Sequence, residues 1–377
     1  MSKLDYMPRL DGLRALAVGG VLADHFVHSP WVHAWRTGDA GVRLFFVLSG
    51  FLITSILMIE RERSQSVGHA AFRFYGRRLL RLSPALWLAI AAAAALGLAN
   101  MRHDWWKHGL YLTNFMVAKH HNWLGPAHFW TLSVEEQFYL GWFFVVVVAP
   151  RRWLLPAILA CIAIGPIYRA VLAHPGDPDW PITLLPGQVD TLALGALLAW
   201  AQRNPESGAA VMRLFGSRAA LLALLAATVL LSAPLGWDYR VFRALPVLGV
   251  GLTAACIIAQ AARPFAPGNG GPLDWPVLRH IGRISYGLYV YHWFVPEAFD
   301  RFRPGLVDPH GAGPKLAAAA FFTLIALVVA EASWWLVEKP ILGLKDRLDG
   351  RSRPATVAPP PAAEGQLPAA AADSTPG

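Results

Sequence analysis

Five short stretches of the chain carry side chains that could do chemistry. The first, Leu10 to His28 (LDGLRALAVGGVLADHFVH), is apolar enough to enter a bilayer yet holds Arg14 and His25, eleven residues apart. On a helix those two share a face, about 16 Å from each other along the axis. Ionisable groups inside a membrane are costly and usually face a cavity or a partner. A histidine held there and partly desolvated can act as general base or acid. It can equally hydrogen-bond a neighbouring helix. Arg14 either binds an anion near the membrane surface or snorkels to the headgroups. The second stretch, FYGRRLLR, puts Arg78 and Arg81 on one helix face, a pair suited to bidentate phosphate binding or to anchoring a membrane helix. The third, WTLSVEEQFY from Trp130 to Tyr139, pairs Ser133 with Glu136 as a capping box and leaves Glu135 over. A carboxylate at the head of an apolar helix can orient a histidine from another helix or position an alcohol. The fourth, Gln188-Val-Asp190, sets one charge in an apolar run, either at the substrate or in a polar contact between helices. In the fifth, IGRISYGLYVYH, Ser285, Tyr289 and His292 recur about once per turn, lining a cavity or tying a bundle, while Gly282 and Gly287 allow close helix approach.

The elements that position these groups follow from composition. Of 377 residues, 55% are hydrophobic and 15% charged, well below the roughly 25% charged typical of soluble domains. The repeated apolar runs give an all-α, polytopic membrane bundle of about ten transmembrane helices. The spans are approximately 10–28, 41–60, 79–99, 133–149, 154–173, 184–201, 217–235, 244–262, 280–297 and 316–337. The basic clusters fall between them: Arg61, Arg63, Arg73, Arg77 and Arg78 after the second run, Arg151 and Arg152 after the fourth, Lys339 and Lys345 after the tenth. With the N-terminus inside, the inner segments hold about twice the basic residues of the outer ones, which predicts both termini in the cytoplasm. The net charge of +9 is therefore topological, and no nucleic-acid partner is expected. The first helix reads as an uncleaved anchor.

Between Asn100 and Trp130 lies a Trp- and His-rich stretch, placed outside by this topology, in which Leu110 to Met116 could dip into the protein. Its histidines, including His103, His108, His120, His121 and His128, match no closed metal-site spacing, so no metal is expected. The cysteines, Cys161 and Cys256, sit in apolar runs as packing residues. Residues 1–345 form the transmembrane domain and 346–377, rich in Pro and Ala, read as a disordered cytoplasmic tail. No internal repeat of the transporter type is evident.

The run RLDGLRA from Arg9, His25 beyond it, and FFVLSGFLI from Phe45 to Ile53 resemble the opening of membrane acyltransferase family 3. The resemblance continues through Arg78-Leu-Leu-Arg81, Trp130 to Tyr139, Gln188-Val-Asp190 and Ile281 to Tyr289, and ends near Val337 to Pro340. It implies a ten-helix enzyme of the cytoplasmic (inner) membrane. Such an enzyme moves an acyl group, most often acetyl, from acyl-CoA to a hydroxyl of a sugar or polysaccharide. Acceptors across the family include lipopolysaccharide O-antigen, exopolysaccharide and peptidoglycan. The resemblance makes Arg14 and His25 the essential pair, with His25 as general base. Arg14, Arg78 and Arg81 attract the phosphates of CoA, the thioester reaches inward to His25, and Glu135 stands near the acceptor. Ser133, Tyr139 and Asp190 complete the expected substrate contacts. No bound cofactor is expected, acyl-CoA (acetyl-CoA) being the donor substrate. Some relatives carry a fused esterase-like domain; none is expected here, nor a second transfer step in the same polypeptide. The competing class is a transporter or flippase for a lipid-linked saccharide or small solute, which would move its substrate unchanged.

Overall fold

Pro8 opens the first helix, α1 (Pro8–Phe26), at a position where its missing N–H costs nothing, and Asp11 in the first turn complements the helix dipole. The computed structural model describes residues 6–27, 29, 32, 35–121, 123, 125–172, 180–232, 239–263, 271–302 and 312–344. Every regular element among them is helical. After α1 come α2 (Thr37–Arg63), α3 (Val67–Leu96), two short helices α4 (Met101–Gly109) and α5 (Thr113–His120), then α6 (Trp130–Phe143), which continues as a wide turn, Phe144–Val148. The second half holds α7 (Leu154–Leu172), α8 (Val189–Arg203), α9 (Pro205–Phe215), α10 (Arg218–Ser232), α11 (Tyr239–Ala261), α12 (Pro276–Tyr291), α13 (Phe294–Phe302) and α14 (Ala312–Ser333).

Local signals explain several boundaries. The Ser66 hydroxyl accepts from the His69 amide at the start of α3, and Gly97 closes that helix with φ +66°, the left-handed conformation glycine tolerates best. Asp39 stands in the first turn of α2 and Arg61 and Arg63 in the last, matching the dipole at both ends. Arg61 also donates to the carbonyls of Val146 and Ala149, both at 2.8 Å, and so satisfies the end of the α6 segment.

Six stretches are long and apolar enough to cross a membrane: Thr37–Arg63, Val67–Leu96, Ala127–Val148, Arg151–Leu172, Ala244–Ala261 and Pro314–Leu342. Pro205–Phe215 and Arg218–Ser232, bent by 57°, make a seventh if they are one span. This is a multi-pass membrane protein, but length and composition do not reach the expected ten spans. The three that fall short, 10–28, 184–201 and 280–297, are helical as α1, α8 and α12, of 19, 15 and 16 residues. They run through the interior. Most of α8 is buried, and α1 and α12 bury about half of their residues against other helices. An interior helix needs no apolar face toward lipid, so it can be short or carry charge. The outside is apolar instead, with Leu159, Ile167 and Val171 on α7 and Leu316, Leu324 and Val328 on α14 all exposed. The stretch after Asn100 is more ordered than a loop. Thr113 and Asn114 are buried, and Gln137 of α6 donates to the Tyr111 carbonyl at 3.0 Å and exchanges hydrogen bonds with Asn114, so this segment does pack into the protein. The expected tail, 346–377, lies outside the described residues.

In lipid, helices associate through close packing rather than hydrophobic expulsion, which favours small residues where they cross. A side chain at Gly282 of α12 would overlap the Asp11 carbonyl of α1. Where α2 crosses α8, a Cβ at Gly50 would overlap the Leu192 carbonyl, and one at Gly195 the Val47 carbonyl. Two buried clusters result. One gathers around α2, α6, α8 and α11, the other around α3, α12 and α14, and α1 joins both, giving Leu10 and Leu13 to the first and Val18 to Phe26 to the second. Gly50→Val is expected to lower the melting temperature in detergent, with a loss of about 3 kcal/mol from overpacking. Gly19→Ala, on a face with nothing within 4 Å, should hold it or raise it slightly, since Ala favours a helix interior over Gly. Thermal unfolding followed by size-exclusion chromatography checks both.

Candidate active site

Two cavities lie along α1. The one at its N-terminal end has a volume of about 710 Å³ and is basic: Arg14, Arg77, Arg78, Arg81 and Arg283 face three carboxylates, Asp11, Glu135 and Glu338. Arg14 donates to Asp11 Oδ1 at 2.9 Å, while Asp11 Oδ2 accepts from the Tyr6 hydroxyl at 2.7 Å. Arg9 pairs with Asp274 at 2.8 Å and fixes the start of α1 to the turn before α12. The Arg78 guanidinium sits 3.7 Å above the Tyr139 ring and 3.8 Å from Glu136. Glu135 accepts from the Ser49 hydroxyl at 2.5 Å. Arg81 and Arg283 make no hydrogen bond or ion pair among the described residues, and both are exposed within the cavity.

The second cavity, about 1150 Å³, lies at the C-terminal end of α1 and has the opposite character. Asp24, Asp104, Glu297 and Asp300 outnumber Lys107 and Lys315, and the indoles of Trp123 and Trp293 flank them. Short α4 and α5 form part of its wall. There Lys107 pairs with Asp104 at 2.6 Å, and His108, buried and driven down to a pKa of about 4 by desolvation, hydrogen-bonds Thr113 at 2.8 Å as a neutral ring. His25 opens onto this cavity. Its Nδ1 lies 2.8 Å from Nε2 of His292, and the edge of Trp293 packs on its ring at 5.1 Å between centroids.

A thin layer separates the two. The Tyr289 side chain lines the basic cavity, and its hydroxyl meets the Thr131 hydroxyl at 2.7 Å and donates to the His128 carbonyl at 2.9 Å. The Tyr289 carbonyl accepts from His292 Nδ1 at 2.6 Å, and His292 then meets His25. A single residue thus links the floor of one cavity to the histidine of the other.

The family model described as an acyltransferase domain matches residues 7–337, which is nearly the whole described chain. The chain belongs to this acyltransferase family. It is 30% identical to the peptidoglycan O-acetyltransferase OatA of Listeria monocytogenes, over 89% of this chain and 56% of that protein. It is also 30% identical to YrhL of Bacillus subtilis, provisionally named a peptidoglycan O-acetyltransferase, over 89% of this chain and 55% of the relative. The chain thus spans about half the length of the curated relatives it matches. No solved structure matches it.

The acyltransferase sorts the residues expected from its sequence into three groups. Arg14, Arg78, Arg81, Glu135 and Tyr139 line the basic cavity together. His25 lines the other, so the expected single site is split between two chambers. Glu135 lines the basic cavity with the arginines and accepts from Ser49, and it is His292 that is seen hydrogen-bonded to His25. Ser133 and Asp190 line neither cavity. The helix starts at Trp130, so Ser133 lies inside its first turn and donates to the Phe129 carbonyl at 3.1 Å, and the expected capping box does not form. Asp190 is fully buried and takes a two-pronged pair from Arg169 at 3.0 and 2.7 Å, while Arg169 also donates to the carbonyls of Gly187 and Ala244. Its neighbours satisfy it without a substrate.

Four participants escaped the sequence reading: His292 as the partner of His25, His128 in the dividing layer, Ser49 on Glu135 and Arg283 in the basic cavity. The one-turn spacing of Tyr289 and His292 marked a shared polar face but not its partner. A lone Arg169 in one apolar run and a lone Asp190 in another were a signal that the two pair, since neither can be buried alone. Asp190→Ala is expected to cost about 3 to 5 kcal/mol of stability by stranding Arg169. The double variant Asp190→Leu with Arg169→Met should recover most of it, as read from melting temperatures in detergent.

Proposed function

We propose that this acyltransferase moves an acetyl group from acetyl-CoA to a sugar hydroxyl of a peptidoglycan-type polysaccharide. The donor binds in the basic cavity and the acceptor in the acidic, aromatic one. The observation that carries this reading is the opposed charge of two chambers along one helix, with His25 facing the second. Phosphates and a diphosphate suit guanidiniums, above all Arg81 and Arg283, which face the cavity without an ion pair among the described residues. Carboxylates and indoles suit a sugar, whose hydroxyls donate to the former and whose ring faces rest on the latter. The names of the two relatives support a peptidoglycan-type acceptor.

His25 acts as general base on the acceptor hydroxyl. The oxygen attacks the thioester carbonyl, the C–S bond breaks, and the CoA thiolate takes back the proton that His25 received. The products are the O-acetyl ester and CoA thiol. Arg14 lies about 16 Å from His25 along α1, so the long pantetheine arm of the donor has to reach from the phosphate site toward the dividing layer. The basic cavity belongs on the cytoplasmic side, where acetyl-CoA is made. Arg61, Arg73, Arg77 and Arg78 lie on segments at that same end, in keeping with both termini inside and a place in the cytoplasmic membrane.

The test is release of CoA thiol by the purified protein in detergent with acetyl-CoA and soluble peptidoglycan fragments. His25→Ala is expected to reduce turnover by about 100-fold or more. Arg81→Ala is expected to raise KM for acetyl-CoA about 10- to 100-fold with kcat little changed, because it removes a phosphate contact and breaks no internal pair. Transfer of a saccharide across proteoliposomes without CoA release would establish the flippase reading instead.

A further inference from the structure

We infer that His292 is a positioning residue that holds His25 in the single tautomer able to act as base. The inference rests on the acyl-transfer reading above and assigns a part to a residue that does not itself reach the substrate cavity. His292 Nδ1 lies 2.6 Å from the Tyr289 carbonyl oxygen, which can only accept, so Nδ1 carries a hydrogen. In a neutral ring Nε2 then has none and can only accept. His25 Nδ1, 2.8 Å away, must be the donor. It follows that Nε2 of His25 holds a lone pair rather than a proton.

The ring geometry agrees. The two imidazoles are coplanar within 8°, and their centroids stand 5.1 Å apart. With nitrogens 2.8 Å apart, that is the separation of rings joined end to end through an in-plane hydrogen bond, not of rings stacked face to face. The neighbouring His128 does not compete. Its Nε2 donates to the Val290 carbonyl at 3.3 Å, and its ring packs edge-to-face against His292. His292 is fully buried, so water cannot substitute for it at the His25 nitrogen.

The same bonds decide where a proton goes. When His25 Nε2 takes the acceptor hydroxyl's proton, the charge is shared with His292 across the Nδ1–Nε2 bond. It stops there, because the far nitrogen of His292 is already committed to a carbonyl. The proton therefore returns through His25 to the departing thiolate, and none is lost or gained over the cycle.

The experiment uses the full-length protein labelled with nitrogen-15 histidine in detergent at mildly alkaline pH. The His25 resonances are identified by their loss in His25→Gln. The expected spectrum shows a protonated Nδ1 and an unprotonated Nε2 for His25, and a protonated Nε2 would overturn the proposal. This arm needs no variant at position 292. In the CoA-release assay, His292→Leu should lower kcat about 100-fold with KM for acetyl-CoA nearly unchanged, while His292→Gln, which keeps an acceptor near the lost nitrogen, should recover most of the rate. Wild-type kcat in His292→Leu, or an equal loss in both variants, would refute the positioning role. If His25→Gln itself releases CoA at the wild-type rate, the base assignment is wrong, a failure distinct from that of His292.

Discussion

The close crossing of α1 and α12 is the constraint on which the rest depends. The two helices meet where Gly282 leaves room for the Asp11 backbone, and the ion pair of Arg9 with Asp274 pins the same end. From that contact both helices run from the basic chamber to the acidic one. Arg14 and Arg283 come out at the first, His25 and the residues after His292 at the second. A shift of one residue along either helix rotates its side chains by about 100° and would separate His25 from His292. Contact without side chains at the crossing thus sets the geometry of groups several turns away.

Charges inside the bundle fall into two kinds, and their partners tell them apart. Asp190 and Arg169 consume each other, and Glu60 is held by Arg73 and Arg77. These pairs tie helices together in a medium where an isolated charge would be prohibitive. Arg81 and Arg283 instead present their guanidiniums to an open chamber without an internal pair among the described residues. That arrangement is stable only because water or an anion can fill the space. The boundary between structural and ligand-directed charge is therefore drawn by cavity exposure, not by residue type.

Fold class and family were both legible in the order of the residues alone. Runs of apolar residues can only be spanning or interior helices, since the backbone must satisfy itself in lipid. The Arg78 and Arg81 spacing placed both on one face, and the residues from Arg9 to Phe45 onward pointed to the acyltransferase family to which the chain belongs. α1, α8 and α12 are shorter or more charged than the other apolar runs because they face neighbouring helices more than lipid.

Which polar groups meet came from packing alone. Ser133 and Asp190 had the composition of site residues but found backbone and Arg169 as partners. His25 and His292 lie 267 residues apart, and no local pattern could join them. The division into two oppositely charged chambers likewise required the helices to be assembled, since each draws its side chains from segments spread along the chain. Periodicity assigns a residue to a face of its own helix; packing alone determines what that face meets.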